Sequence, residues 1–275
     1  MTPMDPPEQG DGQLSRVADA FSRKAPLYDA FGYDHPNLAR MRQRVYDHIC
    51  ALHPPGGHLL ELNAGTGLDA ALLATMGYRL LATDIAPGMV AAIEEKIARY
   101  RLSEQLSAAQ CSFTALDQLT AGPFDGVISN SGGLNCVADL TPVAAQMARL
   151  LRPGGLVTWV IMPPICPWEL AVTWKDPRVG LRRLRRGGVL ANVEGVRFMT
   201  HYFTPRQVRR ALGDRFELVR LEALGLCTPP ADNKRFAARY PRLFSTLVRL
   251  ENALCDHWPF QNWGDFFIIT MSRIR

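Results

Sequence analysis

The sequence predicts an α/β fold of the Rossmann-like type, in which helices cover both faces of a mostly parallel sheet. One observation is the order of strand, glycine turn and helix: the apolar run 59–62 leads through Gly65 and Gly67 into an Ala- and Leu-rich segment, 68–76. This arrangement lets the backbone approach a ligand closely at a helix N-terminus. A second observation is another apolar run, 78–84, which follows that helix and completes a right-handed βαβ unit.

The composition indicates a folded, cytoplasmic protein without a membrane segment. An apolar fraction of 47% in 275 residues suits one α/β domain with additions and argues against disorder. The first residues do not resemble a signal peptide, and no apolar run reaches the roughly 18 residues of a membrane helix. The six cysteines are scattered and include no C-x-x-C pair, so we expect free thiols in a reducing cytoplasm and no metal site.

The glycine turn fits two classes of nucleotide ligand. The stretch Gly65-Thr-Gly-Leu-Asp-Ala70 matches the dinucleotide pattern G-x-G-x-x-G/A, and Asp84 follows at roughly the 20-residue spacing of a ribose-binding acid. Glu61 lies inside the preceding strand, where a dinucleotide site favours an apolar residue. A carboxylate there instead suits a ligand with a positively charged amino group, such as a methionine moiety. A purely structural turn is a third interpretation.

The stretch from Glu61 to Gly67 resembles motif I of the class I S-adenosylmethionine-dependent methyltransferases, E/D-x-G-x-G-x-G, with Asn63 in place of the first glycine. Asparagine adopts left-handed backbone angles more readily than other non-glycine residues, which suits this position. The resemblance implies S-adenosylmethionine as the cofactor. It also implies a seven-stranded, mostly parallel sheet whose last strand, 264–271, is antiparallel to its neighbour.

The expected organisation is a single methyltransferase domain over residues 1–275, with helical cap insertions on the core. Residues 1–13 are expected to form a flexible tail. Within the cap, the pattern predicts that Pro26 ends the first helix and that residues 236–257 form one long helix. The cap is expected in three segments: 14–50, 163–195 and 226–262.

Three further stretches resemble the same family. The run Phe21–Asp29 is similar to the F-x-x-x-A-x-x-Y-D element of quinone-biosynthesis-type methyltransferases, in which the tyrosine, here Tyr28, lies against the ligand as part of a lid. The other interpretation of Tyr28 is a filler side chain on a helix at the sheet edge. Phe124–Ser129 is similar to the family's F-D-x-V-x-S strand, and Leu151–Gly155 to its L-x-P-G-G turn.

These stretches imply a set of cofactor-binding residues. Asp84, at the carboxyl end of its strand, is expected to accept hydrogen bonds from the ribose hydroxyls, with capping of the next helix as the alternative. Asp117 is expected to bind the adenine amino group, although it is offset by one or two residues from the family's usual place. The complete set is Tyr28, Glu61, Asn63, Ala64, Gly65, Gly67, Asp84, Ile85, Met89, Leu116, Asp117, Ser129 and Asn130.

Three residues are predicted to serve catalysis: His201, Tyr202 and Asn130. His201 and Tyr202 lie in an alternating strand, 196–203, just before a helix start at Thr204. Imidazole, with an unperturbed pKa of about 6.5, suits proton removal near neutrality; a hydrogen bond from His201 to the neighbouring loop is the alternative. Asn130 opens the loop after the fourth strand, from which the methyl group would face its acceptor. An ordinary polar turn is the alternative there.

The methyl acceptor is expected to contact Asn135, Trp168, Arg182 and Arg186. Asn135 belongs to the same loop as Asn130, and Trp168 begins the cap segment beside the expected active-site mouth. Five arginines occur within the nine residues 178–186. They predict either a clamp for an anionic acceptor or a solvated charged face.

The implied function is transfer of the cofactor's methyl group to an O, N or C atom of a small molecule, by a monomer or homodimer. The net charge of +5 and pI ≈ 9.0 permit an anionic acceptor without requiring one. An RNA methyltransferase is one alternative, although nucleic acid is disfavoured because no appended nucleic-acid module is visible. The other alternative is a protein of this fold that uses bound cofactor for a cyclisation or rearrangement without methylation.

Overall fold

Seven strands form one central sheet in the computed structural model, which describes residues 11–274. Two further strands form a separate hairpin. In chain order the strands are β1 His58–Leu62, β2 Arg79–Asp84, β3 Leu106–Gln110, β4 Phe124–Ser129, β5 Leu151–Ile161, β6 Val189–Val193, β7 Val196–Thr200, β8 Phe216–Leu224 and β9 Phe266–Arg273. The central sheet has the order β3-β2-β1-β4-β5-β9-β8.

The central sheet is mostly parallel. β1 pairs in parallel with β2 and β4, β2 with β3, and β4 with β5, whereas β9 runs antiparallel between β5 and β8. The predicted seven-stranded sheet with an antiparallel last strand is therefore confirmed. Because β1, β2 and β4 are parallel, the residues that follow them meet at one edge of the sheet, the usual ligand edge of such folds.

Apolar layers lie on both faces of the sheet. Leu60 and Leu62 of β1 belong to one buried cluster, whereas Leu59 belongs to another, because successive side chains of a strand point to opposite faces. The helices that cover the faces and form the cap are α1 Asp11–Tyr28, α2 Pro36–Leu52, α3 Leu68–Thr75, α4 Pro87–Tyr100, α5 Thr141–Leu150, α6 Pro167–Val172, α7 Pro177–Gly180, α8 Pro205–Leu212, α9 Phe236–Arg239 and α10 Pro241–Leu254. Within residues 11–274, no helix is both long and apolar enough to cross a membrane.

The N-terminal helix differs from its predicted extent at both ends. Of the predicted flexible tail, residues 1–10 lie outside the described residues, and residues 11–13 already belong to α1. The side chain of Gln13 is buried and its Nε2 donates to the Cys136 carbonyl at 2.5 Å. The predicted break at Pro26 is wrong, since α1 continues to Tyr28. Pro26 has no N–H, so the last turn of α1 lacks one i→i−4 hydrogen bond, but the helix continues for two further residues.

The last predicted helix, 236–257, is divided in two. α9 ends at Arg239 and α10 begins at Pro241, with Tyr240 in a non-helical conformation between them. Proline has no backbone N–H and restricts the residue before it to extended angles, so it starts a new helix more readily than it continues one.

The strand that ends before His201 does not belong to the central sheet. β7 pairs only with β6, antiparallel, in a hairpin inserted between β5 and α8. The prediction that this strand would point His201 toward the ligand edge assumed a place in the parallel sheet, and that assumption is wrong. The helix start after it is confirmed: Thr204 caps α8 through a capping box with Gln207, and Pro205 occupies the first turn.

Candidate functional site

The turn after β1 carries three residues with positive φ: Asn63 at 48°, Gly65 at 57° and Gly67 at 74°. Asn63 holds this conformation through its side chain, whose Nδ2 donates to the Asn130 carbonyl at 3.0 Å and whose Oδ1 accepts from Ser129 Oγ at 2.7 Å. The residue that departs from the glycine motif therefore connects the end of β1 to the end of β4.

Gly65 faces the end of the N-terminal helix. A Cβ at this position would stand 3.9 Å from the ring of Tyr28, and its backbone N–H donates to Asp84 Oδ2 at 2.9 Å. Gly67 has a different role. A Cβ there would come within 2.8 Å of Ile93, so this glycine allows α3 to pack against α4.

Glu61 is a buried carboxylate with an unsatisfied oxygen. Its side chain is 1% exposed, and Oε2 has no hydrogen-bond partner within residues 11–274. Burial raises the pKa of Glu61 well above its ordinary value, and the negative charges of Asp69 and Asp84 raise it further. Such a group calls for a cationic or hydrogen-bond-donating ligand, because an unpaired buried charge is costly.

Arg42, on α2, is a cationic side chain near Glu61 that also has an unsatisfied buried atom. Its Nε is buried and has no acceptor in the part of the chain that the structure describes. Arg42 and Glu61 line one small cavity, here called the loop cavity, together with Gly65, Asn130 and Tyr28. The two side chains form no ion pair with each other, so the loop cavity presents an unpartnered guanidinium and an unpartnered carboxyl group to the same ligand.

Asp84 ends β2 beside this cavity. Its carboxylate accepts hydrogen bonds from the backbone N–H groups of Gly65 and Ala86, both at 2.9 Å. Burial raises its pKa, and these backbone bonds oppose the rise. Asp84 lines an adjoining cavity, here called the β2 cavity, with Ile85 and Phe113. The predicted ligand contact is compatible with this geometry, whereas the alternative of a helix cap is wrong, since the N-cap of α4 is Ala86 and has no side-chain cap.

Tyr28 forms the cover of the site. Its ring borders both the loop cavity and the β2 cavity, and burial together with the charge of Asp69 raises the pKa of its phenol to about 12. The next residue, Asp29, holds this cover in place through two contacts. Asp29 accepts a hydrogen bond from Thr66 Oγ1 at 2.5 Å and pairs with Lys96 Nζ at 2.7 Å. The end of α1 is therefore bound to both the glycine turn and α4.

Asp69 is a site residue that the sequence analysis missed. It lies in the first turn of α3 and lines the loop cavity. Its carboxylate accepts hydrogen bonds from the Tyr46 hydroxyl and, at 2.7 Å, from Asn130 Nδ2. It therefore orients Asn130. Its place within the glycine motif was a usable signal, whereas nothing in the local sequence marked Tyr46 or Arg42, which come from α2.

A third cavity, here called the α2 cavity, measures about 230 Å³ and shares Tyr28, Asn130 and Ser131 with both cavities described above. It is the space next to the ligand edge in which a second molecule could lie. A larger cavity of about 550 Å³ lies between the end of α1 and α4. Its lining includes the Asp29–Lys96 pair but neither Glu61 nor Asp84, so we do not place the site there.

The other predicted cofactor residues divide into two groups. Ala64 and Ile85 line cavities, and Ser129 supports the turn through Asn63. Met89 and Leu116 are fully buried core side chains. Asp117 is exposed on a short 3₁₀ helix and lines none of the cavities described here. The structure does not bring Asp117 to the site, whereas Phe113, which was not predicted, borders the β2 cavity.

Asn135 does not face a ligand. It is 0% exposed, its Nδ2 donates to the carbonyls of Met162 and His201, and its Oδ1 accepts from the Met162 N–H. The backbone carbonyl of Asn135 also accepts from the His201 N–H at 2.7 Å. With its amide used internally, Asn135 fastens the hairpin to the loop after β4, and the prediction that it contacts the acceptor is wrong.

The arginine run is also largely used within the protein. Arg182 donates from Nε and Nη2 to both oxygens of Glu169, at 2.8 and 2.7 Å. Arg183 is buried and joins Glu169 to Asp265 at 2.7 Å. Arg186 is exposed and lines none of the four cavities. The predicted clamp is therefore an internal ion-pair network for Arg182, and Arg186 belongs to a solvated face.

Trp168 likewise serves packing. Its indole N–H donates to the Cys227 carbonyl at 2.7 Å, and its ring meets Phe236 edge to face. It lines none of the cavities described above, so it does not take the predicted place against the acceptor.

His201 and Tyr202 lie away from the three adjoining cavities. The imidazole of His201 stands next to Gly188 of the hairpin, where a Cβ would approach Nδ1 to 2.9 Å, and burial lowers its pKa. The Tyr202 ring stacks near the Arg183 guanidinium at 5.3 Å, and its pKa is raised by burial. Among the described residues that line the α2, β2 and loop cavities, neither of these two appears.

Comparison with known proteins agrees with this geometry. Residues 59–155 match the family described as a methyltransferase domain. The chain is 26% identical over 207 residues to the malonyl-[acyl-carrier protein] O-methyltransferase of Serratia marcescens, covering 74% of this chain and 69% of that protein. It is 30% identical over 159 residues to a demethylmenaquinone methyltransferase of Bacteroides fragilis, covering 54% of this chain and 61% of that protein.

Solved structures share the fold at low identity. The 1,6-didemethyltoxoflavin-N1-methyltransferase of Burkholderia thailandensis, solved with bound S-adenosylhomocysteine, superposes with a TM-score of 0.58 at 16% identity, covering 100% of this chain and 93% of that one. The [4+2]-cyclase SpnF superposes with a TM-score of 0.61 at 15% identity, covering 94% and 95%. These likenesses concern the fold, since such low identity says nothing about the acceptor.

Proposed function

We infer that this chain, a class I S-adenosylmethionine-dependent methyltransferase of the small-molecule type, transfers the cofactor's methyl group to an O, N or C atom of a small molecule. The observation that carries the proposal is the pair of unpartnered side chains, the Glu61 carboxyl group and the Arg42 guanidinium, in the loop cavity. The adjoining α2 cavity supplies a place for the acceptor.

The residues of the site fit S-adenosylmethionine. Its methionine moiety is an α-amino acid head group, with an ammonium that suits Glu61 and a carboxylate that suits Arg42. NAD has no such head group: its pyrophosphate could pair with Arg42, but it offers no ammonium to Glu61. The ribose hydroxyls suit Asp84, and Gly65 leaves room for the ligand beside the turn. Ile85 and Phe113 would hold the adenine on apolar surface.

When bound, the cofactor supplies a methyl group already activated by a sulfonium. The protein's task is then alignment and exclusion of water. Tyr28 and the α1 segment cover the cofactor site, and the Asp29 contacts hold them there. Asn130, oriented by Asp69, and Ser131 lie at the boundary between the cofactor cavities and the α2 cavity, where they would position the acceptor atom.

Binding and transfer test this proposal separately. Calorimetry should detect S-adenosylhomocysteine at micromolar level and show no comparable response to NAD. Cofactor with a labelled methyl group is then incubated with the protein and either a metabolite extract or total RNA. Label in a small molecule is the expected result. Tight NAD binding without a response to S-adenosylhomocysteine would contradict the cofactor assignment. Label confined to RNA would contradict the proposed class of acceptor, a small molecule.

The RNA alternative has lost support from the arginine run, because Arg182 and Arg183 are engaged by Glu169 and Asp265. A cyclisation or rearrangement in the α2 cavity is the second candidate function. It is favoured by the mostly apolar lining of that cavity and by the absence of histidine from its described lining. Cofactor binding together with substrate turnover and no labelled product would distinguish it from methyl transfer.

A further inference from the structure

The α2 cavity has a lining that restricts the chemistry of its ligand. Most of its wall is apolar, with contributions from Leu38, Met41, Val45, Val160, Leu224 and Phe266. Met41, Val45 and Leu224 are buried in the core that supports α2 against the sheet, so these walls are firmly packed. A cavity of about 230 Å³ bounded in this way suits a compact apolar molecule better than a flexible polar one.

Charge in this cavity is scarce and balanced. Its charged lining residues are Lys24, Arg42 and Asp232. Arg42 also lines the loop cavity, where the proposed function pairs it with the cofactor's carboxylate. Lys24 is half-buried and lies over the Tyr28 ring at 5.7 Å, and Asp232 is exposed. These two have opposite signs, so the remaining lining offers no net charge to compensate a buried ion.

An anionic acceptor would therefore pay a desolvation cost without a dedicated partner. The arginines that would have provided one, Arg182 and Arg183, are bound to Glu169 and Asp265. We propose that the α2 cavity binds an uncharged, largely apolar acceptor, and that Met41 and Val45 determine how large an acceptor fits. This inference rests on the proposed function, since it treats the cavity as the acceptor site.

Two probes with the same bicyclic body separate charge from shape. 2-Naphthol is uncharged at neutral pH, whereas 2-naphthoate carries a carboxylate. Each is titrated calorimetrically into the full chain saturated with S-adenosylhomocysteine. We expect 2-naphthol to bind at least about ten-fold more tightly than 2-naphthoate, because the carboxylate loses its hydration without gaining a partner.

Filling the cavity should remove this binding. Val45→Phe adds bulk to the wall and should weaken 2-naphthol by about ten-fold or more while the affinity for S-adenosylhomocysteine stays the same. Met41→Phe is the second variant, in case the first disturbs folding. Ala91→Phe adds the same ring to the exposed wall of the cavity between α1 and α4, and it should leave both affinities unchanged.

The outcomes are separable from those of the proposed function. If the wild-type chain does not bind S-adenosylhomocysteine, the proposed function fails first. If it binds S-adenosylhomocysteine but prefers 2-naphthoate, or responds to neither probe, the uncharged-acceptor proposal is overturned while the cofactor assignment stands. Unchanged 2-naphthol affinity in a folded Val45→Phe or Met41→Phe protein would also overturn it, because binding would then lie outside this cavity.

Discussion

The glycine turn after β1 and the cap segment around α6 and α7 both bury charged side chains, but they pair them differently. In the cap, Arg183 contacts Glu169 and Asp265, so its guanidinium and both carboxylates have partners within the chain. At the turn, Glu61 Oε2 and Arg42 Nε are equally well buried and have no such partners among the described residues. Buried charges with partners in the chain serve the structure of the cap, whereas the unsatisfied groups at the turn call for an explanation, which a ligand with both charges supplies.

This difference also explains why a cluster of arginines was a poor guide to the acceptor site. The sequence shows how many cations a segment contains but not which carboxylates fold against them. Glu169 is thirteen residues from Arg182, and Asp265 is eighty-two residues from Arg183. Only the fold brings the second of these pairs together.

The largest expected effect concerns the stability of the cap. Arg183→Met would leave Asp265, buried on every side, without its cation and would weaken the hold on Glu169. We expect a loss of about 3–5 kcal/mol in the free energy of unfolding, the usual result of removing one partner from a buried ion pair. Denaturant titration measures it.

Arg186→Met is the matched control, since Arg186 is exposed and should change stability by less than about 0.5 kcal/mol. If Arg183→Met destabilises the protein no more than the control does, the cap pairs are not structural, and the contrast between the two regions fails.

The next effect concerns cofactor affinity. Glu61→Gln and Arg42→Gln should each weaken S-adenosylhomocysteine by about 2–3 kcal/mol, because each leaves one charge of the head group without its partner. The melting temperature of the free protein should not fall, since neither group has a partner to lose. Arg99→Gln, in the cavity between α1 and α4, is the control for net charge. Normal affinity in both variants would show that the head group binds elsewhere.

The raised pKa of Glu61 adds a pH dependence of known sign. In the free folded protein, burial keeps Glu61 protonated to higher pH than in the unfolded chain. Its contribution to stability is therefore full below the ordinary value of 4.5 and is lost as pH rises through the raised pKa. Binding the cofactor's ammonium requires the ionised form, so affinity should rise over that same interval. Calorimetry across pH should show this rise in the wild type and not in Glu61→Gln.

The cofactor side of the site could be predicted because its residues are close in sequence. Glu61 lies near the end of β1, Asn63 and Gly65 lie in the turn that follows, and Asp84 ends the adjacent strand, so motif spacing and strand order place them together. Arg42 could not be predicted in this way, because helix α2 reaches the turn only through tertiary packing. The seven-stranded sheet was predicted through the resemblance to the class I methyltransferases. The hairpin β6–β7 was not, because it depends on which strands pair, and alternation alone does not specify that.

A smaller effect is expected at Asp84. The alanine variant would remove two backbone hydrogen bonds as well as any ligand contact, so it would mix stability with affinity. Asp84→Asn removes the charge but retains one acceptor oxygen, so it keeps one of these two backbone bonds, which go to different carboxylate oxygens. We expect it to weaken S-adenosylhomocysteine by about 1–2 kcal/mol, as ribose hydroxyls donate more strongly to a carboxylate than to an amide. A melting temperature that falls while affinity is unchanged would assign Asp84 to the turn alone.

The smallest expected effect is at His201. It tests whether the region around the hairpin takes part in catalysis. A general base in this position would contribute about 10²–10⁴-fold to kcat, and its loss would remove one limb of the pH–rate profile. The imidazole, however, packs against Gly188 of the hairpin, and the described lining of the α2 cavity contains no histidine. His201→Ala should therefore change kcat by less than about two-fold and leave the pH–rate profile as it is.

Asn130→Ala is the contrasting variant, because Asn130 borders all three adjoining cavities and should lower kcat at unchanged stability of the cap. A large loss in His201→Ala with a missing pH limb would mean that the hairpin closes over the acceptor during turnover, and that the cap takes part in the chemistry and not only in the fold.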